Sequence, residues 1–260
     1  SAETLNNPAD YVEFADGTLH VLDTTKLPLT DASGRIIGLL GVSRDITERE
    51  QTRRRQQAAY ELGQQLMLLL DEDALLRQTV TSLAESFGYY HVHVYLREGD
   101  EQLVVREGLG AAGEQLKRAG HTIPISAPRS LVARAARTLS PVVVNDVRDN
   151  PDHLPNPLLP FTRSEVALPL YLGSDLIGVL DVQQNRTDYF GEDEIRTLGT
   201  IASQLSVALS NARFFRELEL EADRRTRLYE LGQHLAESLD PADIAQAAVN
   251  GVADLLDVPE

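Results

Sequence analysis

Cysteine is absent from the 260 residues. That removes disulfides, thiolate metal sites, thiol nucleophiles and thioether-linked cofactors, and it fits a reducing compartment. Basic residues are also scarce: 24 Lys plus Arg stand against 40 Asp plus Glu, a formal net charge of −16. A surface so acidic repels phosphate backbones and anionic lipid heads, which argues against nucleic-acid and membrane-surface partners. Long apolar runs are missing too. The densest, Leu66 to Leu70, is five residues long, against the ~20 that a membrane span requires. The opening Ser-Ala-Glu-Thr has neither a basic patch nor an apolar signal segment, so a cytoplasmic location is expected. What the chain does have is 42% hydrophobic residues, enough for a packed core. At roughly 150 residues per domain its length suits one or two globular units.

An internal repeat organises the chain. Tyr60-Glu61-Leu62-Gly63-Gln64 recurs as Tyr229-Glu230-Leu231-Gly232-Gln233. The match extends to Leu66 with Leu235, Leu70 with Leu239 and Asp71 with Asp240, and arginine clusters precede both copies. The spacing of 169 positions exceeds solenoid periods of about 20–50 residues and suits a tandem array of whole domains. The second copy would need more residues than follow it, so the sequence is expected to be part of a longer protein.

Residues 1–47 read as β. Tyr11 to Phe14, Thr18 to Leu22, Leu27 to Leu29 and Ile36 to Val42 are strand candidates, with Asp16-Gly17 and Asp31-Ala32-Ser33-Gly34 as turns. From Ile46 a polar helical pattern runs to Leu70, and Asp71 is a good N-cap for a second helix through Leu75, Leu76, Val80, Leu83 and Phe87. Tyr90 to Leu96, Leu103 to Glu107, Pro141 to Val144, Ser164 to Leu172 and Leu176 to Gln183 read as strands of an antiparallel sheet, with Gly173-Ser174-Asp175 a hairpin turn. Ser126 is a candidate cap for a short helix from about Pro128 to Arg137. Four prolines between Asp149 and Pro160 mark a loop. A helix then runs from Glu192 to about Leu239, too long for an isolated globular helix. Ile195, Leu198, Ala202, Leu205, Leu209 and Ala212 follow a heptad alternation of which Ile195 to Leu205 suit the domain's own sheet, whereas beyond Ala212 Phe215 and Leu218 onward call for a partner helix.

Few motifs carry chemistry. Gly108-Leu109-Gly110-Ala111-Ala112-Gly113 matches GxGxxG, but only a short helix, Glu114 to Ala119, can follow, and no acid lies where a ribose would need one. It reads as a loop. His91 and His93 share one strand face with Tyr95, as a pocket wall or a solvated face; no third ligand supports a metal. His153 sits in the proline-rich loop. Asn145-Asp146 and Arg163-Ser164-Glu165 are strand ends flanking that loop. They either converge on a small ligand, or Asp146 caps a turn and Glu165 pairs with Arg163. No hydrolytic triad is placed by any motif.

Gly34 to Arg49, with Asp45-Ile46-Thr47-Glu48 as the exit into a helix, resembles the C-terminal end of a PAS sensor domain. Residues from about Asp71 to Arg213 resemble a GAF domain, carried by Leu75-Leu76, Val92 to Leu96, Pro141 to Val147, Ser164 to Leu170, Ile177 to Leu180, Phe190 to Glu194, Ile201 to Leu205 and Ala208 to Ala212. The resemblance implies an α+β fold, an antiparallel sheet with entry and exit helices on one face and a small-molecule pocket on the other. Bilin attachment lacks its cysteine. The cyclic-nucleotide pattern is met only in part by Asn185-Arg186, Phe190 and Asp193-Glu194, and no histidine immediately precedes Arg163 as haem-binding members require. No cofactor is therefore expected. The methionine-sulfoxide-reducing members resolve through cysteine, which excludes that activity, and no phosphoacceptor His-Glu or ATP lid is present. The stretch is read as input and transmission without catalysis.

The expected organisation is thus the end of a PAS domain over 1–47, a linker helix over 48–70, a GAF domain over 71–212, a signalling helix over 213–239 and the start of a second GAF domain over 240–260. His91, His93, Tyr95, Asn145, Asp146, Arg163 and Glu165 are the candidate pocket residues. The expected setting is a bacterial multidomain sensor such as a histidine kinase, working as a parallel homodimer through its helices. The rival reading is a GAF unit that binds nothing and serves as a dimerising spacer.

Overall fold

The computed structural model describes residues 5–148 and 150–237. Its first sheet is a meander of β1 (Leu5–Glu13), β2 (Leu19–Thr30) and β3 (Ile36–Asp45), antiparallel in that order. Two of the expected short strands are fused here into the single strand β2. Its Pro28 is tolerated because, among the described residues, β1 pairs β2 no further than Lys26 and Pro28 has only β3 beside it. The strand-to-helix exit is locked by Asp45. Its carboxylate accepts from the Thr47 hydroxyl (2.5 Å) and backbone N–H (2.9 Å) and meets His20 Nδ1 at 2.7 Å. Those contacts, the Thr47 hydroxyl foremost, draw its pKa down to about 2.

Helix α1 (Thr47–Leu66) leads to α2 (Glu72–Phe87). The Asp71 side chain caps α2 by accepting from Ala74 N at 2.8 Å, and Gly88, at φ 70°, ends it in a left-handed turn. A six-stranded antiparallel sheet follows: β4 (His91–Glu98), β5 (Gln102–Gly108), β6 (Thr122–Pro124), β7 (Val142–Val144), β8 (Ser164–Leu172) and β9 (Asp175–Gln184), in spatial order β6-β5-β4-β9-β8-β7. Three helices interrupt or follow it: α3 (Gly110–Arg118), α4 (Leu131–Thr138) and α5 (Glu192–Glu237).

Alternation divides the sheet into two faces. Val92, Val94 and Leu96 of β4, with Val166, Leu168, Leu170, Leu180 and Val182, pack against Leu62 and Leu66 of α1, Leu75, Leu76 and Leu83 of α2, and Leu198, Leu205 and Leu209 of α5. Each such side chain contributes about 1.5–3 kcal/mol on burial. Tyr95, Ala167 and Val179 point the other way, towards Leu131, Val132, Ala135 and Ala136 of α4. The α5 stripe up to Ala212 therefore serves its own sheet, while Phe214, Phe215, Leu218, Leu220, Leu228 and Tyr229 are exposed. The proposed second GAF start, 240–260, lies outside the described residues.

Two local expectations are corrected. The cap of α4 is Ser130, which accepts from Ala133 N at 3.1 Å, not Ser126. Pro128 holds the residue before it out of the helical region, so the helix starts only beyond it. Helix α3 begins at Gly110 rather than Glu114. The glycines permit this: a Cβ on Gly113 would overlap the Gly108 backbone, so the GxGxxG pattern marks a close approach of α3 to β5. No described helix is long and apolar enough to cross a membrane.

Candidate functional site

The pairing register builds a polar floor on the sheet face turned towards α4. His91 lies opposite Gln183, which lies opposite Glu165; His93 lies opposite Asp181 in the next row. Over this floor opens a cavity of about 770 Å³, walled by Leu131 and Val132 of α4, by Ile123 on β6, and by Leu154, Leu158 and Leu159 of the proline-rich loop. An apolar wall with a few convergent polar groups is the usual form of a small-molecule site.

The floor is hydrogen-bonded in one direction. The Thr162 hydroxyl donates to Gln183 Oε1 at 2.7 Å, and Gln183 Nε2 donates to Asp181 Oδ2 at 2.7 Å. His91 Nε2 and His93 Nε2 are 2.9 Å apart, one donating to the other. His93 Nδ1 lies 3.7 Å from Asp181 Oδ2, and His153 Nε2 lies 3.4 Å from Glu165 Oε2. Asp181 is 1% exposed, Glu165 is 6% exposed, and Asp181 Oδ1 is buried with no hydrogen-bond partner among the described residues.

Electrostatics follow from that crowding. Burial, then the Asp181 charge and a hydrogen bond to it, pushes the Glu165 carboxyl well above the usual glutamate range. Burial first and His93 second drive His91 down to about 3, so its ring is neutral. Burial also lowers His121 and His153, and together with the two acids it raises the Tyr95 phenol. Among the described residues no group of three His, Cys, Asp or Glu is arranged to hold a metal ion.

Of the seven candidates read from the sequence, His93, Tyr95, Arg163 and Glu165 line the cavity and His91 stands behind His93 on the same strand face. Asn145 and Asp146 do not line it. Asn145 instead grips the start of α5: its Oδ1 accepts from Phe190 N at 3.0 Å and its Nδ2 donates to Phe190 O at 3.1 Å. Asp146 closes a turn onto Arg148, with Oδ2 at 2.5 Å from the guanidinium. The Arg163 guanidinium turns to the Pro160 and Thr162 carbonyls, so no Arg163–Glu165 pair forms. Asp181, Gln183, Thr162, His121 and His153 complete the site and were not among the candidates. The available signal for the first two was Asp181-Val182-Gln183, polar at every second position of an otherwise apolar strand.

A GAF domain family model matches residues 69–210, and a PAS fold model matches residues 2–51. A GAF domain-containing protein of Dictyostelium discoideum is 29% identical over 132 residues, 51% of this chain and 77% of that protein. The free methionine-R-sulfoxide reductase of Neisseria meningitidis, solved with its substrate, shares 27% identity at a TM-score of 0.55, covering 63% of this chain and 92% of that one. The GAF domain of a phosphoenolpyruvate-protein phosphotransferase from Coxiella burnetii superposes with a TM-score of 0.57 at 16% identity, over 64% of this chain and 98% of that one. The reductase corrects the reading of this stretch as free of catalysis. An enzyme stands on the same fold at comparable identity, and an enzymatic role is open to this chain. With the model spanning more than half of its length and the curled antiparallel sheet in place, the chain belongs to the GAF domain family, preceded by a PAS-like segment.

Proposed function

We propose that this GAF domain is a sensory module whose pocket takes a small zwitterion of amino-acid type, ammonium group inward. One observation carries the reading. Glu165 and Asp181 are buried together on the cavity floor, and of the arginines that line the cavity Arg129 is exposed and Arg163 half-buried, while Arg148 is exposed and paired with Asp146. A buried acidic pair favours a ligand that brings its own positive charge, and a basic rim favours one with an acidic end. The reductase named for free methionine-R-sulfoxide, an amino acid, supports the same class. A polar floor and an open cavity weigh against the ligand-free spacer. Occupancy is read out through Asn145 into α5, whose exposed apolar residues pair in a parallel homodimer within a PAS–GAF signalling chain of the sensor-kinase kind.

The test is a thermal-shift screen, because binding to the folded state alone raises Tm by mass action. Free amino acids should raise it, their N-acetyl derivatives should not, and Asp181→Asn should abolish the shift. Equal shifts from the N-acetylated compounds would overturn the ammonium-inward reading. A second reading, catalysis, is favoured by the likeness to the reductase and by a carboxyl held protonated beside the ligand space. Mass spectrometry of the same mixtures tests it, since turnover appears as a new product mass.

A further inference from the structure

Resting on the amino-acid reading above, a second property follows from two acids sharing a dry floor. Adjacent carboxylates in such a place cannot both ionise without a cation between them. The two acids are not alike. Asp181 Oδ2 accepts from Gln183 Nε2, whereas burial first and the neighbouring Asp181 second push the Glu165 carboxyl well up. Glu165 then carries the proton. Arg163, half-buried on the cavity wall, turns its guanidinium to the Pro160 and Thr162 carbonyls instead of to the pair.

We propose that the ligand-free pocket holds one proton between Glu165 and Asp181, and that an entering ammonium group takes its place, so that binding releases a proton and strengthens as pH rises. The balance is simple. The Glu165 O–H bond breaks, its proton passes to the medium, and the ammonium keeps its own protons while donating hydrogen bonds to two carboxylates. The pocket's net charge is −1 before and after. A site built this way reports the ratio of amine to proton rather than the amine alone.

Other titratable groups face the pair. His91, His93 and Tyr95 reach it from β4, His153 from the proline-rich loop and His121 from the turn before β6. Burial lowers His91, His121 and His153 and raises Tyr95, which keeps these four neutral near neutral pH. His93 Nδ1 lies 3.7 Å from Asp181 Oδ2.

Infrared difference spectroscopy on the whole chain reads the shared proton. The ligand-free protein should show a protonated-carboxyl stretch that Glu165→Gln removes and His93→Gln leaves in place. Absence of that band overturns the proposal whatever binds. Calorimetry with L-methionine and with methylammonium, in buffers of different ionisation enthalpy, should then count one proton released per molecule bound. The affinity should rise about tenfold per pH unit below the Glu165 titration. Binding without proton release overturns the exchange and leaves the amino-acid reading standing. A band with no binding of either amine defeats that reading and the exchange together, leaving only the shared proton.

Discussion

Replacing Asn145 by alanine separates a clamp from a ligand contact. Asn145 satisfies both the N–H and the C=O of Phe190, at 3.0 and 3.1 Å, and its own carbonyl accepts from Asp188 N at 2.9 Å. Phe190 is 1% exposed, so water does not readily replace the lost side-chain partners. Each lost bond forfeits about 0.5–1.5 kcal/mol, and stranding a buried polar group costs about 1–3 kcal/mol. With the two terms overlapping, Asn145→Ala should destabilise the domain by about 2–4 kcal/mol. That corresponds to a fall in Tm of about 5–15 °C for a domain of this size. Urea unfolding measures the loss, and hydrogen exchange should locate it at the first turn of α5. Asn145→Asp keeps the acceptor but sets a carboxylate oxygen against the Phe190 carbonyl, so its loss should shrink as pH falls and the acid gains a proton to donate. A variant that unfolds like the wild type but no longer responds to ligand would refute the clamp and return Asn145 to the pocket.

Glu165→Gln should change how stability depends on pH. The folded pKa lies above the unfolded one, so the acid's stabilisation is complete below the unfolded value and is lost as pH rises towards the folded value. The slope is about 1.4 kcal/mol per pH unit. Glutamine does not titrate, so the variant should gain on the wild type over that window, and parallel pH profiles in urea would contradict the assignment. Gly113→Ala drives a Cβ into the Gly108 backbone and should lower stability by about 1–3 kcal/mol or more; an unchanged urea midpoint would show that α3 can move away freely. In a chain with no cysteine of its own, Phe215→Cys offers a single reporter on α5. Oxidation of dilute protein should yield a covalent dimer whose ligand response is frozen, and a purely monomeric product would remove the parallel pairing.

The elements were readable where short-range rules dominate. Asp71 before an apolar-periodic stretch, Gly173-Ser174 between two strands, and the stripe from Ile195 to Leu205 each carry their signal within a few residues. Boundaries were misread where a constraint was not local. The extension of β2 through Pro28 depends on its pairing with Leu39 of β3, and the early start of α3 depends on two glycines facing each other across a helix–strand contact. The site was half legible for the same reason. His91, His93 and Tyr95 share a face by alternation alone, but nothing within β9 tells that Asp181 will stand beside His93.

Composition and local pattern alone determined the thiol-free chemistry, the acidic surface and the α+β alternation, because those follow from residue type and spacing and need no folded neighbour. The PAS-to-GAF order was read from the chain's resemblance to those two families. The tertiary structure decided which polar groups meet. Antiparallel register brought Glu165, Asp181 and Gln183 into adjacent rows, and the proline-rich loop carried His153 and Thr162 over them. Hydrogen bonds across long sequence separations gave Asn145 to α5 instead of the cavity. A pocket's charge and proton affinity are properties of that assembled neighbourhood, because desolvation and Coulomb interactions depend on distances in space and not on separation along the chain.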